Sequence, residues 1–171
     1  MAIVAADLHF HLSGGAGNSD PNASLGGVMS STAITDNTAN NLFDDVSGAE
    51  SAAGDIEYRG FYVENSHATL TLIDARIYIS SLTASPNTEF DLAIADEAMN
   101  VSMETIADES TAPTGPTFSR PTTYAGGIQI NSSTGLTATS WRGVWIRRTV
   151  DSAAGAFSDT GTIKLEGDTN P

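Results

Sequence analysis

The sequence predicts an all-β protein, a β-sandwich of about nine strands with a long N-terminal loop. Three observations predict it. Ile and Val together outnumber Leu by 19 to 10, and β-branched side chains pack well on pleated surfaces. Apolar and polar residues alternate in several short segments that turn-forming residues separate. No long segment has the 3.6-residue period of a helix. Such a sandwich would be immunoglobulin-like or jelly-roll-like.

The N-terminal third predicts one strand followed by mostly irregular chain. Leu8, Phe10 and Leu12 share one face of that strand. The segments that follow are a polar loop at 13–27, a short helical turn at 38–46 with Leu42 and Phe43 beneath it, and a second loop at 47–55. We therefore expect residues 1–171 to form a single sandwich domain, with 1–56 as N-terminal strand, extended loop and arm.

The remaining strands are predicted from period-2 alternation. They are residues 57–65, 69–81, 88–95, 99–106, 124–131, 139–149 and 161–166. Three residues separate the first two of these strands, which is hairpin spacing. The apolar phase slips after Leu72, so a β-bulge near Ile73–Asp74 is the simplest explanation. Residues 108–123 contain three prolines and are expected to connect strands.

One short motif occurs twice. Residues 58–63 (YRGFYV) match residues 141–146 (WRGVWI) as aromatic, Arg, Gly, apolar, aromatic, branched. A Gly between two aromatic residues on one strand face leaves room for a neighbouring backbone or ring. We expect one structural solution used twice, once on each sheet of the sandwich.

Composition excludes several classes of function. The net charge is −14, so phosphate backbones and anionic membranes would repel the chain. The absence of Cys excludes disulfides and thiolate metal sites. No apolar run has the roughly 20 residues of a membrane helix. The N-terminus lacks a basic, apolar leader, so we expect synthesis in a cytosol. We therefore predict no nucleic-acid partner and no membrane partner.

Several groups of side chains have the composition of a chemical site. Asp7, His9 and His11 on one strand face fit a metal site, but a plain polar face fits as well. Whether the acidic loop 44–57 binds Ca²⁺ stays open, because its spacing does not match a twelve-residue calcium loop. Trp141 and Trp145 fit either a sugar-stacking row or core. For hydrolysis the candidate carboxylates are Asp91, Asp96 and Glu97. With no nucleophile elbow and no phosphate-binding loop, we predict no enzyme activity, catalytic residue, metal or cofactor.

Three stretches carry a resemblance to a known class of proteins. They are SGGAGNSDPNASLGG, NLFDDVSGAESAAGDIEYRGFYVENSHATLTLIDARIYIS and TATSWRGVWIRRTV. Together they resemble virion structural proteins of tailed bacteriophages, over most of residues 8–82 and 136–150. The resemblance implies a β-sandwich module attached to the virion, as head decoration (cement) or at the neck or tail. It also implies that the chain is made in the host cytoplasm and ends in the virion.

From this resemblance we expect a capsid decoration protein that binds the major capsid protein, or other virion proteins, and sibling copies. The alternatives are a neck or tail component, or a module that adsorbs to host-surface glycans. The loop at 13–27 is a plausible clamp, with Leu25 and Val28 anchored in a partner's groove and Asp20 and Asn22 offering hydrogen bonds. Arg147 and Arg148, the main basic cluster, would dock an acidic patch or else pair with internal acids.

Overall fold

A computed structural model describes residues 2–132, 134–152 and 160–169 of the chain. Within these ranges the chain forms nine strands, one short α-helix and two 3-10 turns, which confirms the all-β prediction. The strands are β1 (Leu8–Leu12), β2 (Gly26–Gly27), β3 (Asp55–Asn65), β4 (Leu72–Ser81), β5 (Thr88–Ile94), β6 (Met103–Thr105), β7 (Ile128–Gln129), β8 (Ser140–Val150) and β9 (Thr162–Thr169). The helix α1 is Gly48–Ala53, and the 3-10 turns are Ala5–Asp7 and Pro21–Ala23. Among the described residues, no helix has the length and apolarity needed to span a membrane.

The strands form three antiparallel sheets. The four-stranded sheet has the order β1-β3-β8-β5, and the three-stranded sheet has the order β7-β4-β9. Strands β2 and β6 form a separate two-stranded ribbon. The four- and three-stranded sheets contribute their inner faces to one buried cluster, so they are the two layers of a β-sandwich.

The sandwich core follows the alternation in the sequence. Phe61, Val63, Val144 and Ile146 point inward from β3 and β8, opposite Ile77 and Ile79 of β4. The other face of the four-stranded sheet is also buried. There, Tyr62 and Trp145 are both 0% exposed and pack against Met103 and Ile106, in and beside the ribbon. Both faces of β3 and β8 are therefore covered, which explains why apolar residues occupy both faces at their centres, residues 61–63 and 144–146.

The predicted hairpin between β3 and β4 is wrong, because the two strands belong to different sheets. Residues 66–71 carry the chain from one layer of the sandwich to the other. The buried side chain of Asn65 supports this crossing: its Nδ2 donates to the carbonyls of Leu70 at 2.8 Å and Leu136 at 3.0 Å. The ring of His67 accepts the backbone N–H groups of Thr69 and Leu70 at 3.1 and 3.0 Å. Side chains thus satisfy backbone groups that a hairpin would have paired.

The bulge predicted in β4 is confirmed. The register with β9 shifts between Ile73 and Arg76, and Asp74 has a φ of 48°. Asp74 is held by Arg76 Nε at 2.9 Å and by Gln129 Nε2 at 2.8 Å. These hydrogen bonds, the one from Arg76 first, lower the pKa of the Asp74 carboxyl.

The repeated motif lies on neighbouring strands of one sheet, which corrects the expectation of one copy per sheet. In the β3–β8 register Gly60 lies opposite Trp145, and Tyr62 lies opposite Gly143. Each glycine therefore faces the second aromatic of the other copy. The side chain of Met103 crosses the space above both glycines, which a Cβ at either position would fill. The local two-fold arrangement lets the ribbon approach the sheet closely.

Two N-terminal details also differ from expectation. Residues 38–46 form no helical turn, although Leu42 and Phe43 are buried as expected. Helix α1 lies in the predicted loop 47–55. Ser47 caps it, since its Oγ accepts from Glu50 N at 3.3 Å and Glu50 Oε2 accepts from Ser47 N at 2.6 Å. This Ser-x-x-Glu pattern is a capping box, visible in the sequence.

Candidate functional site

The residues predicted to bind a partner fall in two places. Asp20, Asn22, Leu25 and Val28 belong to the segment 13–31, called here the loop layer, which lies beside the outer face of the four-stranded sheet. Arg147 and Arg148 lie near the end of β8. The loop layer remains a candidate contact surface, whereas both arginines form ion pairs with acidic residues of the same chain.

The loop layer is held to β3 by hydrogen bonds at the point where β1 ends. Strand β1 ends at Leu12, which lies opposite Phe61, so no residue of β1 lies opposite Gly60 to bond its backbone groups. Gly60 N donates to Ser24 O at 2.7 Å, and Ser13 Oγ donates to Gly60 O at 2.7 Å. Ser13 Oγ also accepts from Gly26 N at 3.0 Å, and both serines are 0% exposed. The loop layer thus takes over the pairing of β3 that β1 leaves incomplete.

A second set of bonds joins the loop layer to the buried aromatic residues beneath it. The hydroxyl of Tyr62 donates to Gly27 O and accepts from Met103 N at 2.8 Å. Burial raises the pKa of this hydroxyl, so it stays a donor. Leu25 is half-buried in the same cluster, and its carbonyl accepts from Ile106 N at 3.0 Å. Leu25 therefore anchors the loop to its own chain, which corrects the expectation that it inserts into a partner.

Three of the predicted contact residues remain on the surface. Asp20 and Asn22 are exposed, and Asp20 Oδ1 accepts from Asn22 N at 3.0 Å, which caps the 3-10 turn. Val28 is 51% exposed. Val101, 48% exposed, lies two residues before Met103, the partner of Gly27 in the ribbon. We call Asp20, Asn22, Val28 and Val101 the loop surface.

Arg148 is buried, 5% exposed, which corrects the expectation that it docks an acidic patch of a neighbour. Its guanidinium pairs with Glu57, with Nε 2.5 Å from Oε2. The guanidinium carbons of Arg148 and Arg59 lie 4.8 and 5.3 Å from the ring centroid of Phe43. Burial raises the pKa of Glu57, although both arginines oppose the shift. This ionic cluster belongs to the interior of the sandwich.

Arg147 is paired but stays about one-third exposed. Its Nη2 donates to Asp91 Oδ2 at 2.7 Å, and its guanidinium lies 5.2 Å from the ring centroid of Phe118. Asp91 also accepts from Arg120 Nε at 3.1 Å. The alternative expectation, pairing with internal acids, is thus met at both arginines. Asp91, a candidate catalytic carboxylate, is itself buried and paired with Arg147 and Arg120.

The remaining candidates are separated in space or used locally. His11 Nε2 lies 3.0 Å from Glu64 Oε2, His9 Nε2 lies 3.1 Å from Ser66 Oγ, and Asp7 accepts from Val4 N at 2.8 Å. In segment 44–57, Asp44 and Glu57 both pair with Arg148, whereas Glu50 takes part in the cap of α1. Across the described ranges no group of three or more His, Asp or Glu is placed to hold a metal ion.

The aromatic residues form core rather than an exposed row. Trp145 and Tyr62 are fully buried, and Trp141 is half-buried with its ring edge-on to Tyr62 at 5.1 Å. The sequence did not indicate a cavity of about 430 Å³ that Ile94, Met99, Ile130 and Arg142 help to line. Its lining comes from three chain segments, so no local pattern marks it. Desolvation lowers the pKa of Arg142 there.

Comparison of the chain with protein-family models, with curated proteins and with solved structures finds no match in any of the three.

Proposed function

We propose that the chain is a non-enzymatic virion structural protein of a tailed bacteriophage, acting as a capsid decoration (cement) protein. It binds the major capsid protein, or another virion protein, through the loop surface. Sibling copies around it occupy equivalent positions on the shell. The proposal rests on the resemblance of residues 8–82 and 136–150, and one structural observation supports it best.

That observation is the anchoring of the loop layer. Ser13 and Ser24 fix its backbone to Gly60, and the Tyr62 hydroxyl links its Gly27 to Met103 of β6. The exposed Asp20, Asn22 and Val28 are therefore held in place before a partner arrives. A preorganised contact loses less conformational entropy on binding, so a small polar and apolar surface can bind usefully.

Charge is consistent with the same role. The net charge of −14 keeps the free chain soluble and repels packaged nucleic acid. Contacts across subunit boundaries lower the free energy of the assembled shell relative to its parts, which is how a bound protein stabilises what it binds.

The test measures binding of the purified chain to particles that lack it. Val28→Asp would place a charge in the apolar part of the contact, and we expect at least a tenfold loss of affinity. Leu82→Asp is the matched control: Leu82 is 50% exposed, as against 51% for Val28, but lies between β4 and β5. Equal binding by V28D and wild type would contradict the loop surface as the contact.

Copy number and particle stability test the station on the virion. A head-shell protein is expected at hundreds of copies per particle, and about a dozen copies would indicate the neck or tail instead. Particles without the protein should lose infectivity at lower temperature or lower salt. Unchanged particle stability would refute the cement role.

A further inference from the structure

The two main sheets differ in whether other parts of the described chain cover their edge strands. Along β1, Ile34 N donates to Phe10 O at 2.8 Å. Along β5, Leu92 and Ser119 exchange hydrogen bonds of 2.8 and 2.9 Å. Both edges of the four-stranded sheet are thus covered by other parts of the chain. In the three-stranded sheet β9 is an edge strand of eight residues, and no described residue bonds to the backbone of its outer side. An edge of this length that the described part of the chain leaves open is a template for another strand.

The backbone of β4 defines which groups of β9 point outward. On the side of β4 away from β9, Ile79 N donates to Pro121 O, and Ala75 O accepts from Ile130 N, both at 2.8 Å. In an antiparallel sheet successive residues bond in opposite directions. Beyond the bulge, the even-numbered residues of β4, Arg76 and Tyr78, therefore bond toward β9.

The register then assigns the groups of β9. Lys164 lies opposite Tyr78, and Glu166 lies opposite Arg76, so these two residues of β9 bond inward to β4. The N–H and C=O groups directed to the free edge are those of Ile163, Leu165 and Gly167.

In only one compatible register do opposite charges of β9 face one another without any like-charged pair. Antiparallel pairing of two β9 strands requires the outward residues to face one another. With Leu165 at the centre, Lys164 faces Glu166 of the second copy, and Glu166 faces its Lys164. The neighbouring register centred on Lys164 places Lys164 opposite Lys164. The one centred on Glu166 places Glu166 opposite Glu166, although Lys164 then faces Asp168. Opposite charges in directly facing positions stabilise strand pairs, and like charges destabilise them.

Both charged side chains are available for this contact. Lys164 Nζ lies 3.0 Å from Glu166 Oε2 on the same strand, and the two side chains are 52% and 43% exposed. In the pair of strands each ammonium group would lie between two carboxylates. An edge strand with lysine alone would repel its own copy, whereas the alternation of Lys164 and Glu166 does not.

We propose that two copies of the chain associate through β9, antiparallel and centred on Leu165. The two three-stranded sheets then become one six-stranded sheet with the order β7-β4-β9-β9-β4-β7. The contact has two-fold symmetry, so each copy uses the same surface. This inference does not depend on the virion role, because it concerns the purified chain alone.

The test is sedimentation equilibrium of the full chain over a range of concentrations, with two single charge reversals. Wild type should dimerise. K164E and E166K should each weaken the dimer at least tenfold, because each places two like-charged pairs across the axis. An equimolar mixture of K164E and E166K should form a heterodimer, since an acidic strand then faces a basic one. That recovery also shows that both variants are folded.

The proposal is overturned if wild type stays monomeric at millimolar concentration. It is also overturned if the single variants dimerise as tightly as wild type, or if the mixture fails to associate. None of these outcomes bears on the loop surface, which the particle-binding assay tests separately.

Discussion

Gly26 is the residue of the loop layer at which a single methyl group should be most damaging. It is buried, its φ is +88°, and an added Cβ would overlap the carbonyl oxygen of Glu104 and lie 2.9 Å from Cη2 of Trp145. The left-handed backbone costs an L-residue about 1–2 kcal/mol. Overpacking against a fixed backbone and a buried ring adds about 1–3 kcal/mol. Gly26→Ala should therefore destabilise the chain by about 2–5 kcal/mol.

The neighbouring residue supplies the control. Gly27 has a φ of +74°, but its added Cβ would meet only the hydroxyl oxygen of Thr105, at 2.9 Å. That side chain is free to rotate, so Gly27→Ala should cost only the backbone term of about 1–2 kcal/mol. Urea unfolding of both variants measures the difference, and thermal melting should show about 2–4 °C for each kcal/mol. Equal losses in G26A and G27A would refute the close approach of the ribbon to Trp145.

Two other predictions concern charge. Glu57→Ala should cost about 3 kcal/mol in denaturant unfolding, because it removes the buried carboxylate that Arg148 and Arg59 face and leaves them only the more exposed Asp44 and Glu109; a loss below about 1 kcal/mol would show that those outer carboxylates suffice. The pKa values of Asp74, Glu89 and Glu166 are lowered, chiefly by hydrogen bonds from Arg76, Arg120 and Tyr78 respectively. Their contribution to stability is present at neutral pH and is lost as the pH falls through the folded-state pKa values. At pH values below about 4.5 the melting temperature should therefore decrease, and it should decrease less steeply in E89Q. The same pH dependence in wild type and E89Q over this range would contradict the assignment.

The alternation of apolar and polar residues predicted most of the strands, because successive side chains of a half-buried strand point in turn to the core and to the solvent. The bulge at Ile73–Asp74 was visible for the same reason, as a break in parity. The order of the strands was not predictable in this way. A short polar connection serves a hairpin and a crossing between layers equally well, and residues 66–71 make the crossing only because Asn65 and His67 satisfy its backbone.

The candidate site was predicted in part. A turn-rich segment locates the loop layer, and Asp20, Asn22 and Val28 are exposed within it. Leu25 and Arg148 are buried instead, and their environments depend on residues distant in sequence, Ile106 and Glu57. Parity alone could have indicated the burial of Arg59, because it shares a strand face with Phe61 and Val63.

The order of the four-stranded sheet has a consequence for synthesis. Asp55 pairs with Val150 and Asn65 with Ser140, so each residue of β3 leaves the ribosome about 75–95 residues before its partner on β8. At about 5–20 residues per second this interval is roughly 5–20 s. Through that time the β8 side of β3 is unpaired, on a segment rich in aromatic and branched residues, the kind most prone to aggregate. Glu57 and Arg59 interrupt the apolar face of this segment. Burial of these charges costs free energy in the folded protein. During synthesis the same charges would keep the growing chain from pairing with other nascent chains on the polysome.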